Sequence, residues 1–162
     1  MKYMEKGGFK QNPLMRLTLS FSLLFLVFFW LTNFAMYFVH MSLRPQSVID
    51  YYCGNDATFQ TAKSFEGLAE VSHFHFPMMA IVVLVLTHLI IFCPWKKSTK
   101  VSIIVTAFVS AFCQELSSWL VRFVSPQFAL LKVVGFVLLQ STLGIMLVAL
   151  GAYLWFWDQA AR

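Results

Sequence analysis

Four long apolar runs dominate the sequence and limit what the chain can fold into. They cover about residues 14–41, 64–93, 101–124 and 128–157, and each exceeds the roughly 20 residues that a transmembrane helix needs. Charged residues make up only 12% of the chain, whereas soluble domains carry about 25%. The sequence therefore predicts an integral membrane protein with an all-α fold, formed by a single domain of residues 1–162.

The connections between the runs predict how the helices are arranged. Residues 42–63 form the one long polar loop, and short turns join the second, third and fourth runs. Short turns are typical of antiparallel neighbours, so we expect a four-helix, up-down transmembrane bundle.

The distribution of basic residues predicts the orientation of the bundle in the membrane. Eight Lys and Arg residues fall on one side and four on the other, where nearby acidic residues offset them. Because Lys and Arg favour the cytoplasmic side, we expect both termini in the cytoplasm of a bacterium, the protein in the inner membrane, and the 42–63 loop outside. The eight are Lys2, Lys6, Lys10, Arg16, Lys96, Lys97, Lys100 and Arg162, and the four are Arg44, Lys63, Arg122 and Lys132.

The second run carries ionisable residues within an apolar segment. Glu70, His73, His75 and His88 all lie between positions 70 and 92, and lipid-facing groups of this kind are costly. At 100° per residue, Glu70, His73 and His88 share one stripe of the helix, which we expect to face the bundle interior. His75 points elsewhere, toward the loop, a neighbouring helix or a partner.

A candidate binding site follows from the depths of these residues. His40 closes the first run on the side where Glu70 and His73 open the second. A carboxylate and an imidazole one turn apart are a pair that metal sites in bundles use, so His40, Glu70 and His73 are candidate metal ligands. His40 with His73 or His75 is also a candidate ligand pair for one b-type haem, or a hydrogen-bonding pair for a quinone head group. The alternative is that these side chains only meet water and the loop.

Glu115 lies within the apolar body of the third run. An ionised carboxylate at that depth is costly unless it is paired or protonated. Its candidate partners are Arg122, two turns further along the same helix, and Lys132 on the fourth run. Two roles follow, a structural ion pair or proton transfer beside a bound quinone. His88 has a related pair of interpretations, a functional interior histidine or one that simply bonds to a neighbouring helix.

Two resemblances bear on the function. The stretches SHFHFPM (72–78) and THLIIF (87–92) resemble a segment of small uncharacterised bacterial four-span membrane proteins. The expected architecture is similar to that of four-helix membrane b-type cytochromes, a likeness that implies haem held between two helices. His73 and His88 lie about 22 Å apart along the helix, as for two haems. However, the third and fourth runs contain no histidine, so a second haem lacks a second ligand.

These observations favour one class of function and leave two alternatives. The sequence contains no P-loop, serine elbow, CxxC or HExxH motif, so we do not expect an enzyme as an isolated chain. Its basic residues flank apolar runs, which argues against nucleic acid as a partner. We expect an accessory or anchor subunit of a larger, redox-linked inner-membrane assembly, with protein partners in the membrane or periplasm. The alternatives are a small transporter or channel for protons, metal ions or solutes, and a structural scaffold without a cofactor.

Overall fold

The computed structural model describes residues 12–156, which fold into five helices. Four of these helices are long and apolar enough to cross a membrane, and the remaining one, the second along the chain, is short. Within the described residues the one β-type pairing is an isolated bridge between Asn55 and Gln60. The prediction of an all-α membrane bundle is therefore confirmed. The helices are α1 (Pro13–His40), α2 (Pro45–Cys53), α3 (Phe65–Ile90), α4 (Lys97–Phe123) and α5 (Ala129–Trp155), with 3₁₀ turns at Asp56–Thr58 and Pro126–Phe128.

Local sequence explains where several helices begin. The Asn12 side chain accepts hydrogen bonds from the backbone N–H groups of Leu14 and Met15, and Pro13 occupies the first turn of α1, where its missing N–H costs nothing. Ser64 caps α3 by accepting from the Gly67 N–H at 3.1 Å. Serine is a favoured N-cap residue, so the sequence alone indicates that a helix begins after position 64.

The two ends of the bundle differ in composition, and we name them accordingly. The loop end carries residues 41–64, and the basic end carries the turn between α3 and α4 with Lys96, Lys97 and Lys100. The Trp155 indole N–H donates to the Ser20 hydroxyl at 3.1 Å, so α1 begins and α5 finishes at the basic end. The basic residues Lys2, Lys6, Lys10 and Arg162, and Trp157 of the fourth predicted run, lie outside the described residues.

Helix α5 lies at the centre of the bundle and contacts all four other helices. Glycine at two positions allows close approach. A Cβ at Gly135 would lie 3.2 Å from the backbone nitrogen of Gln114 on α4, and one at Gly144 would lie 3.0 Å from the Trp30 ring on α1. The basic half of the bundle packs around α5 mainly through apolar side chains, among them Leu86, Ile90, Leu139, Leu143 and Met146.

Helix α2 lies within the long connection between α1 and α3 and closes the loop end of the bundle. Val48 is fully buried, and it packs with Tyr52 against Leu68 and Val121. Arg122 donates from Nε to the Lys63 carbonyl at 2.7 Å, which ties the loop to the end of α4. Helix α2 is therefore a packed cap over the ends of α3, α4 and α5, whereas residues 56–62 of the same connection are exposed.

Candidate functional site

Glu115 is buried between α3 and α4, with an exposed fraction of only 7%. Its Oε2 atom lies 3.2 Å from His75 Nδ1, and its Oε1 atom accepts a hydrogen bond from the Ser72 hydroxyl at 3.0 Å. The predicted partner Arg122 bonds instead to the loop carbonyl of Lys63. The Glu115 carboxylate is thus held by side chains of α3, and the prediction that it pairs with Arg122 is wrong.

The residues around Glu115 follow helical spacing on both helices. Ser72 and His75 are three positions apart on α3, so they lie on one face and both reach Glu115. On α4, Trp119 follows Glu115 by one turn and donates from its indole N–H to the Ser72 hydroxyl at 2.8 Å. Ser72 therefore accepts from Trp119 and donates to Glu115, and the carboxylate has a fixed orientation.

Lys132 on α5 forms the second branch of the site. Its ammonium group donates to the Gln114 carbonyl at 2.9 Å and to the Ser118 hydroxyl at 2.8 Å, and only 4% of the residue is exposed. Lys132 also interacts electrostatically with Glu115, although within the described residues the one ion pair at contact distance is that between His75 and Glu115. Of the two cations predicted as partners of Glu115, Lys132 is therefore the one whose charge acts on the carboxylate.

Tyr52 connects this branch to the loop helix α2. Its hydroxyl lies 3.0 Å from the Ser118 hydroxyl, and its ring lies 5.7 Å from the Lys132 ammonium. Burial disfavours the charged phenolate and raises the pKa of Tyr52 from 10.0 to about 12. The phenol is therefore neutral at ordinary pH and serves as a hydrogen-bonding group at the wall of the site.

Two cavities of different character meet at His75 and Glu115. The first, the polar cavity, measures about 330 Å³ and opens at the loop end; its lining includes Tyr52, Lys63, Glu70 and Lys132. The second, the α3–α4 groove, measures about 140 Å³ and is lined by apolar side chains within the transmembrane part of both helices. These are Phe76, Met79, Ala80, Val83, Phe108, Ala111 and Phe112. His75 and Glu115 line both spaces, so a molecule in the groove contacts them on its polar side.

The helical stripe predicted to face the interior faces outward instead. Glu70, His73 and His88 are all exposed on the surface of the chain, so the prediction that they point into the bundle is wrong. Glu70 borders the mouth of the polar cavity, and the His73 and His88 rings lie 5.7 and 5.8 Å from the rings of the neighbouring Phe74 and Phe92. His75, which the helical phase set apart, is the histidine that reaches a partner inside the site.

The predicted metal ligands do not come together. The His40 ring lies 5.2 Å from the Tyr51 ring at the loop end, and in residues 12–156 no three His, Cys, Asp or Glu side chains are grouped to hold a metal ion. The arrangement therefore does not support a site built from His40, Glu70 and His73. Haem ligation by His40 together with His73 or His75 stays a prediction.

Sequence reasoning missed four residues of the site, namely Ser72, Trp119, Ser118 and Tyr52. Three of them carried a signal, because they lie one turn from a residue already singled out. Ser72 is three positions before His75, and Ser118 and Trp119 are three and four positions after Glu115. Tyr52 had no such signal, since its place depends on how α2 folds over the bundle.

Comparison with known families gives one match. A family model described as a transmembrane helical domain matches residues 42–161, or 120 of the 162 residues. Neither a curated protein nor a solved structure matches the chain. The matched segment contains α2 to α5, and therefore every residue of the site, whereas α1 precedes it.

Proposed function

Since the chain belongs to the family of transmembrane helical domains, we propose that it is an integral-membrane accessory subunit that binds the head group of a lipid-soluble quinone at His75 and Glu115. The observation that carries this proposal is the meeting of the two cavities. The α3–α4 groove gives access from the bilayer, and the polar cavity gives access from the loop end. A quinone has the matching character, with an apolar tail and a ring that bears hydrogen-bonding oxygens.

The size of the groove suits a single ring. Its volume is about 140 Å³, and an apolar cavity of about 150 Å³ accommodates benzene. Aromatic side chains from both helices, Phe76 and Phe112, flank the space, and ring-on-ring contacts of this kind add to the burial of apolar area. The groove therefore holds the ring, while the tail remains in the bilayer.

The pairing of His75 with Glu115 leaves one imidazole nitrogen for the ligand. Nδ1 faces the carboxylate at 3.2 Å, and no hydrogen bond to Nε2 is present within residues 12–156. A carboxylate on one ring nitrogen fixes the tautomer and stabilises the imidazolium. With the proton on Nδ1, Nε2 accepts a hydrogen bond from a quinol hydroxyl. When Nε2 carries the proton taken from that hydroxyl, it donates to the quinone oxygen, and Glu115 balances the charge of the imidazolium.

The surrounding residues support this role by holding Glu115 in place. Ser72 and Trp119 fix the carboxylate, and Lys132 supplies a buried positive charge that keeps the carboxylate an acceptor. The polar cavity, lined by Lys63 and Glu70 among others, provides the route by which a proton leaves toward the loop end. In this proposal Glu115 positions His75 and balances its charge, and the proton passes to His75 rather than to Glu115, which sequence reasoning expected to carry it.

Two alternatives have less support from the geometry. A transmembrane path for ions needs charged or strongly polar groups through both halves of the bundle, yet among the described residues the buried charged side chains, Glu115 and Lys132, both lie in the loop-end half. A pure scaffold does not explain why two buried charges and an exposed histidine share the rim of an open cavity. A b-type haem predicts a Soret band in the visible spectrum of the purified protein, and that spectrum separates haem from quinone.

Orientation and partners belong to the same proposal. The excess of Lys and Arg at the basic end supports a bacterial inner-membrane location with both termini in the cytoplasm. The polar cavity then opens to the periplasm. Exposed His73 and the aromatic side chains beside it offer a surface for protein partners of a redox-linked assembly.

A ligand titration tests the proposed site directly. Trp119 bonds to Ser72 beside Glu115, so its indole N–H resonance in tryptophan-labelled protein reports on the site. In lipid nanodiscs, decylbenzoquinone should shift this resonance saturably, whereas decylbenzene, which lacks the head group, should not. Equal responses to the two compounds, or none to either, would refute the proposal.

A further inference from the structure

A second groove lies between α1 and α5. This α1–α5 groove measures about 670 Å³, within the range of about 300–1,000 Å³ that is typical of small-molecule sites. Trp30 from α1 and Gly144, Ile145 and Val148 from α5 line it, and Trp95 closes it toward the basic end. No ionisable side chain is among its lining residues, so the groove suits an uncharged molecule.

Gln140 brings an unused amide to this groove. The residue lines the groove and is only 3% exposed. Its backbone carbonyl accepts from the Trp30 indole N–H at 2.9 Å. Its side-chain Oε1 atom, however, is buried without a hydrogen-bond partner in the described residues. An unpaired polar group is costly where water is absent, so this oxygen favours a further hydrogen-bond donor at the groove.

The depth of Gln140 restricts what that partner is. Gln140 is the twelfth residue of α5, which places it about 17 Å from the loop end of a helix about 40 Å long. This is near the middle of a hydrocarbon core about 30 Å thick. The charged head group of a phospholipid stays at the interface, so its polar atoms do not reach the amide.

We propose that the α1–α5 groove binds a neutral, lipid-soluble alcohol or phenol whose hydroxyl group pairs with the Gln140 side chain. A hydroxyl both donates and accepts, and an amide offers an acceptor oxygen and two donor hydrogens, so one hydroxyl satisfies the oxygen. The apolar body lies along Trp30 and Ile145, and the Gly144 backbone forms the floor. This site is separate from the His75–Glu115 site and does not depend on its function.

A matched pair of ligands tests the need for the hydroxyl. Para-decylphenol carries the donor, and para-decylanisole has the same body with the donor methylated. In nanodiscs the Trp30 indole resonance should shift with both, and the phenol should bind roughly three- to tenfold more tightly, as one hydrogen bond in a membrane interior implies. The Trp119 resonance, observed in the same spectra, reports separately on any binding at the His75–Glu115 site.

Two variants connect the preference to the groove. Gln140→Leu keeps the volume and removes the amide, so the phenol and the anisole should bind it equally. Ile145→Trp places a bulky ring at an exposed position of the groove wall and should weaken both ligands. The proposal is overturned if the wild type shows no preference for the phenol, if the preference survives in Gln140→Leu, or if neither ligand moves the Trp30 resonance.

Discussion

Glu115 shows how a buried carboxylate is accommodated in this bundle. It receives the Ser72 hydroxyl and the His75 imidazole from one neighbouring helix and faces the Lys132 ammonium from another. Every buried charge in this group has a partner, as burial in an apolar medium requires. The stability of the loop-end half therefore depends on the complete set of partners.

Replacing Lys132 with methionine should destabilise the protein substantially. The change removes hydrogen bonds to the Gln114 carbonyl and the Ser118 hydroxyl and leaves Glu115 without its buried cation. We expect a loss of roughly 2–4 kcal/mol, the order found when one member of a buried charged group is removed. Unfolding in mixed micelles measures it, with Lys100→Met as the control, since Lys100 makes one exposed bond to the Ile91 carbonyl. Equal losses in the two variants would count against this account of Lys132.

Tyr52 predicts a dependence of stability on alkaline pH. Because burial raises the pKa of Tyr52 from 10.0 to about 12 in the folded protein, the folded state holds this proton more tightly than the unfolded state. The stabilisation is complete below about pH 10 and is lost as the pH rises toward 12, by about 2–3 kcal/mol in total. Unfolding measured across this window should show the loss in the wild type and a smaller one in Tyr52→Phe; parallel curves would contradict the assignment.

At the scale of elements, α5 contacts each of the other four helices, and two of its glycines allow α4 and α1 to approach it closely. Gly135 lies against the backbone of α4, and the same pair of helices carries the Lys132 and Gln114 contact. Close helix contact and a buried cation therefore share one interface. In contrast, among residues 12–156 no atom beyond the backbone of α5 itself lies within 4 Å of the position that a Cβ at Gly151 would occupy.

Leucine at Gly135 should destabilise the bundle much more than leucine at Gly151. Gly135→Leu drives a side chain into the Gln114 backbone and should cost about 1–3 kcal/mol, the usual penalty of overpacking. Gly151→Leu enters open space and should change stability by less than about 0.5 kcal/mol. Both variants gain the same helix propensity, so the difference in mixed-micelle unfolding isolates the packing effect. A similar cost at both positions would show that α4 and α5 are not closely packed at Gly135.

The existence and type of the long helices followed from apolar run length, but their rotation did not. Helix α3 is apolar on nearly all sides, so its sequence does not indicate strongly which face packs against the other helices. The stripe of Glu70, His73 and His88 was chosen because it is polar, and it predicted the wrong rotation of α3 about its axis. The neighbours decide instead: Ser72, Val83 and Leu86 pack inward, which turns His73 and His88 outward and brings His75 to Glu115. Contacts between distant residues of this kind cannot be derived from spacing within one helix.

At the scale of the whole molecule, α1 stands apart from the other helices. The family match begins at residue 42, immediately after α1, and only 6% of the apolar window of α1 is buried, compared with 61% for α5. Its main contact is with α5, through Trp30 and Gly144. The chain thus consists of a family domain that contains the His75–Glu115 site and a peripheral first helix that forms the α1–α5 groove.

The proposed orientation of the molecule predicts which cysteines react from outside the cell. Asp56 in the loop and Ser98 at the basic end are both exposed. In a background without native cysteines, a membrane-impermeant maleimide should label Asp56→Cys in intact cells and Ser98→Cys only after permeabilisation, because Lys and Arg are retained in the cytoplasm. The reverse pattern would place the polar cavity on the cytoplasmic side.

The affinity of decylbenzoquinone for two histidine variants tests the central claim most directly. His75 and His73 are two positions apart on α3 and both exposed, but only His75 contacts Glu115 at the end of the α3–α4 groove. We predict that His75→Phe weakens binding about tenfold or more, as loss of a hydrogen bond to a polarised group implies, while His73→Phe binds within about twofold of the wild type. Equal affinity for the wild type and both variants, or a larger loss in His73→Phe, would contradict the assignment of the site.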